Sequence, residues 1–179
     1  PEKKIVIFSG MGNNGGDGLA LARMLFQAGY KSSVMLIRHA EQMSPSCRIN
    51  YDRILKAPVS LTEIKEGEEL PEIGPDTTVI DAIFGSGLSR PVTGFVAKVI
   101  DHINGSNDVI ISVDVPSGFY CDETNTGNKG SIIKADYTLT FQFPKTGFVY
   151  PENEQYLGHW EVLPIGLHPD YINSVSVKT

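Results

Sequence analysis

The chain has 179 residues, of which 41% are hydrophobic and 20% are charged, a composition that is typical of a globular domain and excludes wholesale disorder. A domain of this size buries roughly two-thirds of its unfolded surface, so its stability does not require cross-links. The formal net charge of −6, without a compensating basic run, argues against nucleic acid as the main partner, because nucleic acid requires a positive protein face.

Several cellular environments and site types are disfavoured by the sequence. The two cysteines, Cys47 and Cys121, are too few for a disulfide framework, and the four histidines show no zinc-binding pattern. No apolar run approaches the ~20 residues of a membrane helix, and no signal segment is visible. We therefore expect a cytoplasmic location and no membrane partner. Because the chain begins at Pro1, shortly before a strand pattern, we expect that an upstream segment has been removed.

The first elements predict a βαβ unit. The β-branched run Lys4–Ser9 predicts a buried strand, and the glycine-rich segment Gly10–Gly18 predicts a loop. A helical pattern begins at Leu19 and stops at Gly29, and Ser33–Ile37 predicts the second strand. Two strands that are joined in this way run parallel.

The rest of the chain continues this alternation. Ser44 and Pro45 predict a helix start, whereas the acidic segment Glu63–Glu72 is expected to be exposed. The later predicted elements are a strand at Thr77–Phe84, a helix at Thr93–Ile103, a strand at Val109–Val115, a polar loop at Asp122–Gly130 and strands at Asp136–Phe143 and His159–Leu163. The alternation predicts a three-layer αβα sandwich, a Rossmann-like α/β fold with a mostly parallel sheet.

Three unusual segments follow predicted strand ends, namely Gly10–Gly18, Gly85–Pro91 and Pro116–Gly118. In doubly wound sheets, ligands bind beyond the carboxyl ends of the strands. We therefore expect one crevice to contain all three segments.

The glycine segment permits two interpretations. Gly10–Gly15 satisfies the dinucleotide fingerprint G-x-G-x-x-G, but glycines also serve any tight strand-to-helix turn. Asp17, near the predicted helix N-terminus, would repel a phosphate bound there. Arg38 follows the second strand and is either a ligand for a ribose 2′-phosphate or a solvated surface residue. Asn13 and Asn14 suit a polar ligand, or they are turn formers.

Two aspartates, Asp81 and Asp114, are predicted at the ends of apolar strands. An isolated carboxylate is costly to bury there, so a cation, backbone N–H donors or a proton must offset the charge. With the hydroxyl of Ser117, these oxygens describe a site for an alkali or alkaline-earth cation, unless each aspartate only caps its own loop. Asp114 is the preferred candidate for proton transfer, because a partly desolvated carboxyl group can hold its proton near neutral pH.

Two basic residues near the predicted crevice also permit two interpretations. Lys145 and Arg90 are either ligands for phosphate groups or ordinary surface residues.

Together, three segments resemble the NAD(P)H-hydrate epimerase family, also described as the YjeF-type N-terminal domain. They are G-M-G-N-N-G-G-D-G (Gly10–Gly18), D-A-I-F-G-S-G-L-S-R-P (Asp81–Pro91) and V-D-V-P-S-G (Val113–Gly118). Their order and spacing match the family. The later segments F-P-K-T-G-F and G-H-W-E-V-L-P-I-G-L extend the resemblance, which runs from Lys4 to Leu167.

The resemblance implies an isomerase of cofactor repair, which interconverts the R and S epimers of hydrated NADH or NADPH at C6 of the nicotinamide ring. It also implies fusion to, or cooperation with, a dehydratase that restores the cofactor from one epimer. The implied substrate-binding residues are Asn13, Asn14, Gly15, Gly16, Asp17, Gly85, Ser86, Gly87, Leu88, Ser89, Arg90, Pro91 and Asp114. The implied metal is a potassium ion held by Asn14, Asp81 and Ser117. Asp114 is our candidate for the catalytic residue.

We expect residues 1–179 to form a single Rossmann-like epimerase domain, the N-terminal part of a bifunctional epimerase and dehydratase. The helical segment that the family carries before its first strand is absent from this sequence, which leaves a homodimer open. We interpret the C-terminal end as a linker to a dehydratase domain.

Other functions are compatible with parts of the pattern. An NADP-dependent oxidoreductase would use the glycine fingerprint and Arg38. A protein-interaction domain is known among eukaryotic relatives of the family, but it would gain little from costly carboxylates at strand ends. A carbohydrate kinase is the least compatible, because the sequence has no phosphoryl-transfer motif.

Overall fold

A computed structural model of the chain describes residues 4–106 and 108–174. Within these residues, seven strands form one sheet in the order β3-β2-β1-β4-β5-β6-β7. The strands are β1 (Lys4–Ser9), β2 (Ser32–Ile37), β3 (Ser60–Ile64), β4 (Thr77–Ala82), β5 (Val109–Val113), β6 (Tyr137–Phe141) and β7 (His159–Leu163). Every described pairing is parallel, which confirms the predicted parallel sheet.

Helices cover both faces of this sheet. They are α1 (Asn13–Gln27), α2 (Pro45–Ile54), α3 (Gly94–Asn104), α4 (Glu154–Leu157) and α5 (Pro169–Ser174). On β1, Ile7 packs in the cluster that contains residues of α1 and α2, and the next residue, Phe8, packs in the cluster that contains the apolar face of α3. Because successive strand residues point to opposite faces, this alternation produces the predicted three-layer sandwich.

Local signals set several boundaries correctly. The hydroxyl of Ser44 accepts a hydrogen bond from the backbone N–H of Cys47 at 3.2 Å, and Pro45 is the first residue of α2. Gly29 has a φ of +87°, a left-handed conformation that suits glycine just after α1. Strand β7 lies at one edge of the sheet.

The expectation of an exposed irregular segment at Glu63–Glu72 is wrong at its start. Strand β3 includes Glu63 and Ile64, and it pairs with β2 at the other edge of the sheet. The strand is short and only its last residue is fully buried, so its sequence lacks a strong apolar run. The pairing with β2 and the hydrogen bond from the Tyr51 hydroxyl to Glu63 Oε1, 2.8 Å long, hold it in place.

The predicted start of the first helix is also wrong. Helix α1 begins at Asn13, so most of the glycine segment lies inside the helix and not in a loop. Asp17 therefore lies beyond the first turn, which contains no acidic residue.

The strand order reverses direction between β1 and β4, and this is where doubly wound sheets open a crevice. Among the described residues, no helix has the length and apolar character that crossing a membrane requires. The two ends of the chain, where we expected an upstream segment and a linker, lie outside the described residues.

Candidate active site

A cavity of about 440 Å³ opens at the carboxyl edge of the sheet, beside the switch point between β1 and β4. Parts of two of the three expected segments, Gly10–Gly18 and Gly85–Pro91, line it. The third segment, Pro116–Gly118, does not, and Asp114 lines the cavity in its place. The lining residues are Gly12, Asn13, Asn14, Asp17, Ile83, Phe84, Gly85, Ser86, Gly87, Leu88 and Asp114.

The glycines of α1 allow the start of this helix to pack directly against the sheet. A Cβ atom on Gly15 would collide with the carbonyl group of Gly10. A Cβ atom on Gly18 would lie 2.6 Å from Ser9 Oγ and 2.7 Å from the Cβ of Ala82. Gly15 and Gly16 are buried and do not line the cavity. The close approach of the helix positions its polar residues at the cavity.

Asn14 is nearly buried, with 6% of its surface exposed, and its side chain is only partly bonded. Its Nδ2 donates to the carbonyl oxygen of Phe84 at 2.9 Å, whereas its Oδ1 is buried without a hydrogen-bond partner. The backbone N–H of Phe84 donates to Ser117 Oγ at 2.8 Å. The peptide groups of Phe84 thus connect Asn14 with Ser117.

Asp81 is fully buried at the end of β4. Its Oδ2 accepts from Ser112 Oγ at 2.9 Å and from the backbone N–H of Ser117 at 2.8 Å. Its Oδ1 accepts from the backbone N–H of Ile83 at 3.2 Å and from the Ser117 hydroxyl. Burial raises the pKa of Asp81, and these four hydrogen bonds oppose the rise. Protein donors therefore offset much of the cost of burying this carboxyl group.

The oxygens around Phe84 fit a hard cation. Asn14 Oδ1 is a buried oxygen without a partner, and Ser117 Oγ and Asp81 belong to the same connected group. Uncharged oxygens together with one carboxylate are donors that alkali and alkaline-earth ions accept. All four acceptor positions of Asp81 are occupied by protein donors, so its direct ligation requires the Ser117 hydroxyl to turn away.

Asp114 follows β5 and has a φ of +67°, a left-handed conformation that is uncommon for a non-glycine residue. Its Oδ1 accepts from Lys145 Nζ at 2.9 Å, from the Phe141 N–H at 3.2 Å and from Thr140 Oγ1 at 3.3 Å. Its Oδ2 receives no hydrogen bond from the part of the chain that the structure describes, and the residue lines the cavity. One oxygen of Asp114 is therefore held by the protein, and the other is available to a ligand.

Asp17 is the second carboxyl group at the cavity. Burial and the negative charge of Asp114 both raise its pKa, in that order of importance. Because neighbouring carboxyl groups disfavour double ionisation, Asp17 holds a proton to higher pH than an isolated aspartate.

Residues of the predicted loop Gly85–Pro91 line two different cavities. Its residues 85–88 line the first cavity, whereas Arg90 and Pro91 line a neighbouring cavity of about 430 Å³. Ser89 is exposed and lines neither. The two cavities share Phe84 and Leu88, so they are adjacent.

Sequence reasoning did not identify His39 as part of this region. Its Nε2 accepts a hydrogen bond from the Met11 N–H at 3.2 Å, and its ring lies edge-on to Phe84 with centroids 5.0 Å apart. Burial lowers the pKa of His39, and an accepting Nε2 requires the neutral ring. Arg38, the candidate ligand for a 2′-phosphate, instead lies 3.7 Å from a carboxylate oxygen of Glu63.

The family profile described as YjeF-related protein N-terminus matches residues 1–147, more than half of the chain. The chain belongs to this family.

Two curated relatives show what the sequence is similar to. A "Bifunctional NAD(P)H-hydrate repair enzyme Nnr" from Thermofilum pendens is 42% identical over 153 residues, which are 83% of this chain and 29% of the relative. An "NAD(P)H-hydrate epimerase" from Oenococcus oeni is 34% identical over 166 residues, which are 93% of this chain and 76% of the relative. The chain thus spans less than a third of the bifunctional relative but about three quarters of the other.

A solved structure supports the fold independently. The crystal structure of yeast ynu0, YNL200c, aligns with a TM-score of 0.78 and 22% sequence identity, covering 99% of this chain and 75% of the yeast chain.

Proposed function

We propose that this domain interconverts the R and S epimers of hydrated NADH or NADPH at C6 of the nicotinamide ring, as a step in cofactor repair. The observation that carries the proposal is a cavity-lining carboxylate, Asp114, with one unbonded oxygen in a domain of the YjeF-related family. The names of the relatives, a bifunctional NAD(P)H-hydrate repair enzyme and an NAD(P)H-hydrate epimerase, support the substrate class.

The chemistry that the reaction needs is modest. C6 of the hydrated ring carries a hydroxyl group and is bonded to the ring nitrogen, so it is a carbinolamine carbon. When an acid protonates the hydroxyl, the C6–O bond breaks, its electrons leave with water, and the nitrogen lone pair forms a planar iminium. Water then adds to the opposite face of C6 and returns a proton to the protein. No atoms or electrons are gained overall.

The two carboxyl groups of the cavity are suited to these steps. Asp114 is proposed as the proton shuttle, because it lines the cavity, its Oδ2 has no donor among the described residues, and its negative charge would stabilise a cationic ring. Asp17, whose pKa is raised, supplies a second protonatable group at the same cavity. Asn13 and Ser86 line the same cavity and are proposed to bind the polar groups of the ring and ribose.

A dinucleotide substrate is larger than the nicotinamide half alone, and the adjacent cavities offer space for it. We propose that the nicotinamide half occupies the cavity that Asp114 lines. Arg90 and Pro91 line the neighbouring cavity, and Arg90 there is proposed to contact a phosphate group.

Potassium is the proposed cofactor. Asn14, Ser117 and Asp81 would hold it, and the unpaired Oδ1 of Asn14 supports that assignment. The ion would supply positive charge next to the buried Asp81 and would order the loops that follow β1 and β4.

The partner and location remain predictions. The similarity to a bifunctional enzyme supports fusion to, or cooperation with, a dehydratase that consumes one epimer. We also propose that the domain forms a homodimer and is located in the cytoplasm.

The test uses one purified epimer of hydrated NADPH. The domain is incubated with it in potassium buffer, and the other epimer is quantified by chromatography against an enzyme-free sample. We expect approach to the equilibrium mixture, and faster approach with potassium than with an equal concentration of choline. The matched control is Asp114→Asn, because asparagine is isosteric and tolerates the left-handed backbone. If the wild-type domain leaves the single epimer unchanged beyond the background rate, the proposed function is wrong.

A further inference from the structure

We infer that Lys145 is a positioning residue for epimer exchange, because its ammonium group fixes the orientation of the Asp114 carboxylate and directs the free carboxylate oxygen toward the cavity. The inference rests on the proposed function and assigns a role to a residue outside the cavity lining. Lys145 lies in the segment F-P-K-T-G, just after β6, and the strand order places β6 next to β5.

The ion pair is close and largely shielded from water. Lys145 Nζ lies 2.9 Å from Asp114 Oδ1, and the two side chains are 18% and 12% exposed. Exposed ion pairs contribute little because water and salt screen them, but screening is weaker for a partly buried pair. This contact therefore has more influence on the carboxylate than an ordinary surface salt bridge.

The three hydrogens of the ammonium group already have protein acceptors. Besides Asp114, Lys145 Nζ donates to the carbonyl oxygen of Phe141 at 3.3 Å and to that of Phe143 at 3.4 Å. A lysine side chain has three donors and no acceptor, so these contacts use its full capacity. Lys145 is therefore fixed toward Asp114 and is poorly placed to hold a phosphate group of the substrate.

The two carboxylate oxygens of Asp114 therefore differ in the hydrogen bonds that they accept. Oδ1 accepts from Lys145, Phe141 and Thr140, and this fixes the rotation of the carboxylate. Oδ2 is left without a protein donor among the described residues, on a residue that lines the cavity. A carboxylate that is held in this way is preorganised for a ligand.

The other groups that face Asp114 do not supply a positive charge. Asp17 of α1 adds a negative charge, and this interaction raises the pKa of Asp17. The Cys121 thiol, on the loop after β5, is neutral, because burial and the charge of Asp114 raise its pKa to about 11, while Lys145 opposes the rise. Within the described part of the chain, Lys145 is the cationic residue that forms an ion pair with Asp114.

The test compares two uncharged replacements with one charged replacement. In Lys145→Met and Lys145→Gln we expect kcat for epimer exchange to fall roughly 100-fold, the lower end of the contribution of a positioned acid or base. KM is expected to change less than about twofold, because Lys145 does not contact the substrate. Lys145→Arg should restore most of kcat, because a guanidinium group can donate to the same carboxylate oxygen.

The control is Lys98→Met, because Lys98 is exposed on α3, away from the cavity. It should retain wild-type kcat and KM. Each variant is first checked for folding by circular dichroism. A rise in KM with unchanged kcat in Lys145→Met would overturn the inference and assign Lys145 to substrate binding, and wild-type kinetics in both uncharged variants would also overturn it.

A second readout separates this inference from the proposed function. Crystal structures of the wild type and of the three Lys145 variants report the orientation of the Asp114 carboxylate without any substrate. We expect the carboxylate to rotate in Lys145→Met and Lys145→Gln and to keep its orientation in Lys145→Arg. If this rotation occurs in a domain that does not exchange epimers, the positioning role is correct and the proposed function is wrong. If the orientation is unchanged in both uncharged variants, the inference about Lys145 is wrong whatever the activity.

Discussion

Asp81 and Asp114 both stand at the carboxyl ends of parallel strands, yet the protein surrounds them differently. Asp81 is fully buried, and each of its oxygens accepts two hydrogen bonds from the protein. Asp114 lies at the cavity with one oxygen held by three donors and the other open. Asp81 connects the loops that follow β4 and β5, whereas Asp114 offers a charged group to a ligand.

This difference shows that the position of a carboxylate at the end of a strand does not by itself predict a catalytic role. The atoms that remain without protein partners decide what the residue can do. Substitution of Asp114 should therefore reduce the reaction rate with little effect on folding, whereas substitution of Asp81 should lower the stability of the folded protein.

The largest expected effect is the loss of epimer exchange in Asp114→Asn. The amide keeps the size of the side chain but loses its charge and its ability to accept a proton, so kcat should fall by about 10²–10⁴. Substrate affinity should change little, as measured by equilibrium binding. Exchange at the wild-type rate would remove Asp114 from the mechanism and erase the contrast with Asp81.

The next effect is the loss of stability in Asp81→Asn. The amide nitrogen cannot accept the two hydrogen bonds that one carboxylate oxygen receives, so buried donors lose their partners. We expect the free energy of unfolding to fall by about 2–4 kcal/mol, measured by urea denaturation. Ser112→Ala, which removes one of the four donors, serves as the graded comparison and should cost about 1 kcal/mol. Unchanged stability in Asp81→Asn would show that the hydrogen-bond network is not the role of Asp81.

A smaller effect concerns the proposed potassium ion. The wild-type domain should gain about 1 kcal/mol in stability when potassium replaces choline at several times its Kd, because the ion binds only the folded state. Asn14→Ala should lose this gain, since it removes the unpaired Oδ1. The control is Asn13→Ala. The exposed side chain of Asn13 already accepts a hydrogen bond, from Ser46 Oγ to its Oδ1 at 2.7 Å. An equal potassium response in both variants would contradict the assignment of Asn14 as a ligand.

The smallest effect is an acid-dependent loss of stability through His39. Its pKa is lower in the folded protein than the ordinary value of 6.5, so the unfolded chain takes up a proton first as the pH falls. Stability is therefore lost as the pH falls from the unfolded value toward the lower folded value. The free energy of unfolding of His39→Gln, measured by urea denaturation, should therefore decrease less over this pH range than that of the wild-type domain. The raised pKa values of Asp17 and Asp81 act in the opposite direction and are common to both proteins, so the difference between the two isolates His39.

Much of the fold was predictable because strong apolar strands alternate with helices and loops. Strand β3 was missed because it is short, lies at the edge and has polar residues such as Glu63, so its pairing with β2 depends on tertiary structure. The start of α1 was missed because glycines at Gly15 and Gly18 indicate a loop in sequence, whereas here they permit close packing of a helix.

The candidate site was partly predictable for a topological reason. The carboxyl ends of parallel strands meet at one edge, so the positions of Asp81 and Ser117 after strands predict that they lie close together. The addition of Asn14 to this group is implied by the family resemblance. The pairing of Lys145 with Asp114 was not foreseen, although the segment F-P-K-T-G directly follows a predicted strand. Finding it would have required the knowledge that β6 lies next to β5.

The most direct test of the chemistry proposed for Asp114 is isotope incorporation during the reaction. A single epimer of hydrated NADPH is incubated with the domain in ¹⁸O-labelled water, and the oxygen at C6 of each epimer is analysed by mass spectrometry against an enzyme-free sample. Loss of the hydroxyl and readdition of solvent water predict that the newly formed epimer carries ¹⁸O, at a rate that depends on Asp114. Formation of the second epimer with its original oxygen, or no formation of it above background, would contradict this chemistry.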